Sequence, residues 1–224
     1  MRIRAWLFAA CALSFGLGTA HAQNYSTGAV DIYNTCNTGP DLPQTIPEAA
    51  NVRHWWDLAK FPQVSRWENS DVWNTDFTDG STGDLEPQGG SDVANIYFFT
   101  GHGTCQSTPQ ATDPDFLVTC SGGTLGSTNI GTKSRWGNAG GHSRFMLLDA
   151  SCPMDLVSLS NNWFPPFRGL HVATGHSGNR THDTLDSSSR GDQFAARTVG
   201  VTTTFLGIVI STIPKQSVTW AWMN

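Results

Sequence analysis

Ile96-Tyr97-Phe98-Phe99-Thr100-Gly101-His102-Gly103 and Phe145-Met146-Leu147-Leu148-Asp149-Ala150-Ser151-Cys152 are the two stretches whose reading decides the fold. Each opens on a short, nearly continuous apolar run, from Ala94 to Thr100 and from Arg144 to Ala150, bounded by glycine or polar residues. That pattern suits a strand buried on both faces of a parallel sheet, not the alternation of a half-solvated antiparallel strand. A third run, Gly169-Leu170-His171-Val172-Ala173-Thr174-Gly175, is weaker and similar. Three such strands predict an α/β sandwich, a mostly parallel central sheet with helices on both faces.

Outward from these runs the chain is less regular. Glu48 to Phe61 reads as a helix whose Trp55-Trp56 pair sends one ring inward and leaves the other near the surface. Gln23 to Pro47 has little hydrophobic periodicity and reads as an irregular N-terminal arm. The connection from 104 to 143 is rich in Gly, Ser and Thr, with no convincing helix; it predicts a partly irregular crossover holding a hairpin closed by a Cys105–Cys120 bridge. Gln193 to Arg197 can start a helix, Val199 to Ile213 is undecided between strand and helix, and Ser217 to Trp222 fits a last strand or a final helical turn.

Composition narrows the class. Of 224 residues, 38% are hydrophobic and 14% charged, which supports a packed core and excludes a disordered chain or a coiled coil. Arg2 and Arg4 precede an apolar run from Ala5 to Leu17, and Ala20-His21-Ala22 has the small-x-small form of a cleavage site, so residues 1–22 read as a secretory signal peptide. Residues 23–224 then form one domain, secreted or periplasmic, with no membrane contact after cleavage. They retain 11 basic against 18 acidic residues, a formal charge of −7, which disfavours nucleic acid as a partner. Four cysteines remain, Cys36, Cys105, Cys120 and Cys152, in a compartment that permits disulfides.

The chemistry gathers at the strand ends. The first strand runs into His102-Gly103 and the second into Ser151-Cys152, and sites in open α/β sheets collect at the carboxyl ends of strands. Neighbouring strands would set an imidazole and a thiol face to face, the pairing a cysteine nucleophile needs. Pro153 and Asp155 suit the first turn of a helix, which would place Cys152 at its N-cap, where the helix dipole favours a thiolate.

A hydrophobic strand ending in His-Gly, followed by one ending in a small residue and Cys, resembles the caspase-like cysteine peptidases of clan CD. The segment Trp163-Phe164-Pro165-Pro166-Phe167-Arg168-Gly169-Leu170-His171 also resembles bacterial domains that carry the same pair. The resemblance implies a caspase-like three-layer sandwich, His102 as general acid/base, Cys152 as nucleophile, and an oxyanion hole from the N–H groups of Gly103 and Cys152. It implies a peptide or protein substrate; no cofactor is expected, with calcium left open by the oxygen-rich stretch from Trp67 to Asp79. One more small residue, Ser151, stands between Ala150 and the Cys than in the usual Ala-Cys ending.

Other readings compete for the same residues. A Cys36–Cys152 disulfide beside Cys105–Cys120 would use every mature cysteine and make the chain a non-catalytic, disulfide-stabilised binding or structural domain. His176, His182 and Asp183 offer zinc donors at a spacing of no recognised helical pair, and the stretch Trp67 to Asp79 offers calcium-type oxygens at a spacing of no EF-hand loop, so no metal site is assigned. His171 reads as a core residue, and His54 and His142 as surface or turn residues. Nothing in the sequence fixes an oligomeric state.

Overall fold

A computed structural model describes residues 23–34, 40–79, 90–104, 116–119, 126–129, 133–137, 141–154, 166–178, 185–206 and 208–223. The signal peptide, Cys36, the Cys105–Cys120 bridge, the helix after Cys152, and His182 with Asp183 lie outside the described residues.

Five parallel strands form the centre: β1 (Tyr25–Ala29), β2 (Gln63–Glu68), β3 (Ile96–Thr100), β7 (Phe145–Asp149) and β8 (Val172–Gly175), in the spatial order β2-β1-β3-β7-β8. The three apolar runs become β3, β7 and β8, side by side and in parallel register, which is the α/β class their hydrophobicity predicts. Chain order reverses at β1, which is flanked by β2 on one side and β3 on the other. In an open parallel sheet the crevice beyond the carboxyl ends at such a reversal is where ligands bind.

β1 corrects the reading of Gln23 to Pro47 as an irregular arm. Its sequence, Tyr-Ser-Thr-Gly-Ala, has no apolar run, yet all five residues are buried. The strand works through smallness. A Cβ on Gly28 would run into the Tyr97 hydroxyl, so glycine lets the neighbouring aromatic strand close over β1. β2 has no apolar run either; it is an edge strand whose Val64 and Arg66 are exposed.

Alternation in β3 and β7 divides the core in two. Tyr97, Phe99, Met146 and Leu148 face one layer with Val72, Phe77 and Trp136. There Phe77 stands edge-on to both Tyr97 and Phe99, at 5.7 and 5.4 Å between ring centres. Ile96, Phe98 and Leu147 face the other layer, against the helices.

Those helices are α1 (Thr45–Leu58), α2 (Leu185–Val199) and α3 (Val218–Met223). α1 starts three residues before the predicted Glu48, where the Thr45 hydroxyl donates to the carbonyls of Val30 and Leu42. It buries Thr45, Glu48, Ala49, Val52, Arg53 and Trp56, a three-and-four spacing that lays one face on the sheet. Trp56 is fully buried and its indole N–H donates to Thr198; Trp55 is half-buried and donates to Asp192. α2 ends at Gly200, whose φ of +73° suits a helix-terminating glycine and whose N–H donates to the Ala196 carbonyl.

The undecided run after Val199 is a hairpin, β9 (Val201–Phe205) with β10 (Ile208–Ile213), and the C-terminal segment is helix, not strand. Leu206, Ile208, Val209 and Ile210 of the hairpin are all more than half exposed. Between β3 and β7 lies a small antiparallel sheet, β4 (Gly103–Thr104), β5 (Phe116–Thr119) and β6 (Gly126–Asn129). The oxygen-rich stretch Trp67 to Asp79 closes β2 and makes two short 3-10 turns. In it the Asn69 side chain accepts from the N–H groups of Asp31 and Ile32, and buried Asp76 accepts from the Trp73 N–H.

Candidate functional site

Thr100 and Asp149 end their strands as register partners, and both continue the parity that faces the helices. His176 follows β8 directly. Three polar side chains thus come from the carboxyl ends of three adjacent parallel strands, joined by Glu48 from α1, Arg190 and Gly191 from α2, and Trp222 from α3.

The contacts form one connected network. The Thr100 hydroxyl donates to Glu48 Oε2 at 2.7 Å, and the Gly191 N–H donates to Glu48 Oε1 at 3.2 Å. Asp149 Oδ1 lies 2.6 Å from His176 Nε2, and its Oδ2 accepts from Arg190 Nε at 3.3 Å. Glu48 and Asp149 are hydrogen-bonded to each other, which requires a proton between the carboxyl groups. Both are nearly inaccessible, at 0% and 2% exposure.

Burial and then the Asp149 charge and hydrogen bond push the Glu48 carboxyl well above the usual range, so it stays protonated and donates to Asp149. The unfolded chain releases that proton at the ordinary carboxyl value, so above that value the native state binds one proton more. Stability from this group therefore falls as pH rises toward the raised native value. Glu48→Gln fixes a neutral donor at the position. Its urea midpoint is expected to change less between about pH 5 and pH 8 than that of the wild type, and parallel pH profiles would show that Glu48 is not the group responsible.

A cavity of about 260 Å³ opens on this network. Phe98, Phe194, Ala221 and Trp222 give it apolar walls, and His176 packs against Trp222 with ring centres 5.2 Å apart.

His102 and Cys152 follow the ends of the adjacent strands β3 and β7, as their sequence positions predict. The approach of their loops is close: a Cβ on Gly103 would collide with the Ser151 carbonyl, so glycine is required there. The His102 ring packs against Tyr33, centres 4.4 Å apart, and its Nε2 lies 2.9 Å from the Pro40 carbonyl, which only a protonated Nε2 can satisfy. Nδ1 is then the nitrogen left for proton transfer.

Cys152 has φ of +58°, is 4% exposed, and is disulfide-bonded. It is the only cysteine among the described residues, so its partner lies outside them. A bridged sulfur is neither a nucleophile nor a thiolate. The Cys152 N–H, expected in an oxyanion hole, donates to the Gly178 carbonyl at 3.1 Å. Counting from Asp149-Ala150, Ser151 takes the place where the Ala-Cys ending would put the thiol.

Of the residues weighed for zinc, His176 is bound to Asp149 in the acid network. Among the described residues no group of three or more His, Cys, Asp or Glu is placed to hold a metal ion, and no helix is long and apolar enough to cross a membrane. Glu48, Thr100, Asp149 and Arg190 escaped the sequence reading. One signal was present: Glu48 sits on the apolar face of α1, four residues before Val52 and eight before Trp56, where an acid needs a partner.

The chain belongs to the family described as Domain of unknown function (DUF6345), whose model matches residues 30–224. No curated protein and no solved structure matches the chain.

Proposed function

We propose that the chain is an exported, disulfide-stabilised α/β domain of caspase-like architecture that binds a small ligand at the carboxyl ends of β3, β7 and β8 and uses Cys152 as a structural cross-link. The observation that carries this reading is the disulfide at Cys152. It removes the nucleophile, while the spent Cys152 N–H and the presence of Ser151 at the expected thiol position remove two further parts of a cysteine-peptidase centre. A persistent disulfide also suits the oxidising compartment to which a signal peptide directs a chain. What remains at the strand ends is a cavity with a fixed polar floor and apolar walls, the form of a small-molecule site.

Thiol mapping on the mature protein tests the reading. Without reductant, Cys152 is expected in a disulfide-linked peptide and unalkylated by iodoacetamide at either pH 6 or pH 8. Rapid alkylation of Cys152 at pH 6, lost in His102→Ala, would mean an activated thiolate and overturn it.

One observation favours a second reading, a caspase-like cysteine peptidase held inactive by the bridge. The contact of Gly103 with the Ser151 main chain brings the His102 and Cys152 loops together. After reduction, the Cys152 thiol would pass its proton to His102 Nδ1 and its sulfur would attack the peptide carbonyl. His102 would return the proton to the leaving amine, and water would then hydrolyse the thioester.

A further inference from the structure

We infer that the cavity takes a small monocarboxylate with an apolar body, its carboxylate held by the guanidinium of Arg190. The inference rests on the reading of this cavity as the ligand site and adds the class of ligand.

The polar groups that still have bonds to give decide what the cavity can hold. The two carboxyl groups at the cavity floor do not. Glu48 accepts from Thr100 and Gly191, Asp149 accepts from His176 and Arg190, the pair shares a proton, and both are buried. Arg190 stands against Asp149 and offsets its charge, so an anion entering the cavity meets the guanidinium and not a bare carboxylate.

Arg190 is the opposite case. Its one bond is the Nε contact to Asp149, long at 3.3 Å, and Nη2 is buried with no hydrogen-bond partner among the described residues. A buried guanidinium nitrogen without an acceptor is costly to leave so. A ligand oxygen beside it supplies that acceptor. The side chain is 30% exposed, so the guanidinium has room to turn toward the cavity it lines. Its flat fork of N–H groups matches the two oxygens of a carboxylate.

The walls choose the rest of the molecule. Phe98, Phe194, Ala221 and Trp222 offer aromatic and methyl surface to the body of the ligand, with Gln193 as the one further polar side chain of the lining. About 260 Å³ lies just below the usual range of about 300–1,000 Å³ for ligand pockets. That volume fits one ring or a branched chain beside the acid group, and is too small for an extended peptide or a nucleotide.

Calorimetric titration of the mature protein with 3-phenylpropionate, its neutral amide 3-phenylpropanamide and its cationic counterpart phenethylamine tests this. The acid is expected to bind at least about tenfold more tightly than the amide. Arg190→Gln should bring the acid down to the level of the amide while thermal unfolding shows the variant folded, and Arg190→Lys, which keeps the charge without the fork, should fall between. Equal binding of acid and amide would overturn the inference, as would no binding by any of the three at about 10 mM. Preference for the amine would overturn it too, because the recognising group would then be Asp149. The outcomes are separate from thiol mapping: a bridged Cys152 with no acid binding sinks only this inference, and a free Cys152 with Arg190-dependent binding sinks only the structural role of the disulfide.

Discussion

Replacing Asp149 by Ala is expected to destabilise the fold by about 3–5 kcal/mol, read as a urea midpoint lowered by about 1–2 M. The side chain is 2% exposed and is the common acceptor for three donors: His176 Nε2, Arg190 Nε and the Glu48 proton. Alanine leaves all three facing a void. Arg190, at 30% exposure, can partly recover water, but the Glu48 carboxyl beneath it cannot. Most of the loss therefore comes from orphaned buried groups and not from the Arg190 pair itself. Asp149→Asn keeps the volume and one acceptor oxygen, so it should cost less than Ala. A loss below about 1 kcal/mol for Ala would mean that the carboxylate is solvated and that the network does not hold the strand ends together.

Asp149 carries no local signal of its partners. β3 and β7 were legible because strands buried on both faces must be apolar almost throughout, and Ile96 to Phe99 and Phe145 to Leu148 satisfy that without reference to anything distant. β1 was not legible. Ser26, Thr27 and Gly28 carry no hydrophobic signal, and the strand exists because two neighbours supply its hydrogen bonds and the large side chains over it. Its evidence is therefore tertiary.

The same division runs through the site. His102 and Cys152 announce themselves through their neighbours in sequence, and their positions after adjacent strands follow from that. Glu48, Asp149, His176 and Arg190 come from four segments spread over more than 140 residues, and only the fold brings them together. Asp149 closes an apolar strand, which local reading treats as an ordinary polar stop. The bonding state of Cys152 is likewise not a local property: the same four residues, Asp-Ala-Ser-Cys, serve a nucleophile or a cross-link according to where a second cysteine lies.

That difference makes Cys152→Ser the decisive substitution. With the bridge intact in the wild type, the variant is expected to lose about 2–5 kcal/mol in the absence of reductant, because the cross-link no longer limits the unfolded chain. Measured with both proteins in reductant, most of the difference should vanish, leaving roughly 1 kcal/mol for a hydroxyl placed at a site 4% exposed. The control matters, since it separates the disulfide from simple packing at the same position. If Cys152 is instead a free nucleophile, reductant changes little and stability moves by no more than that residual. In its place, labelling by an electrophilic peptide disappears in the variant, and the reduced wild type hydrolyses peptide substrates. A large stability loss confined to oxidising conditions, with no hydrolysis after reduction, would leave the cavity beneath Arg190 as the part of this fold that meets a ligand.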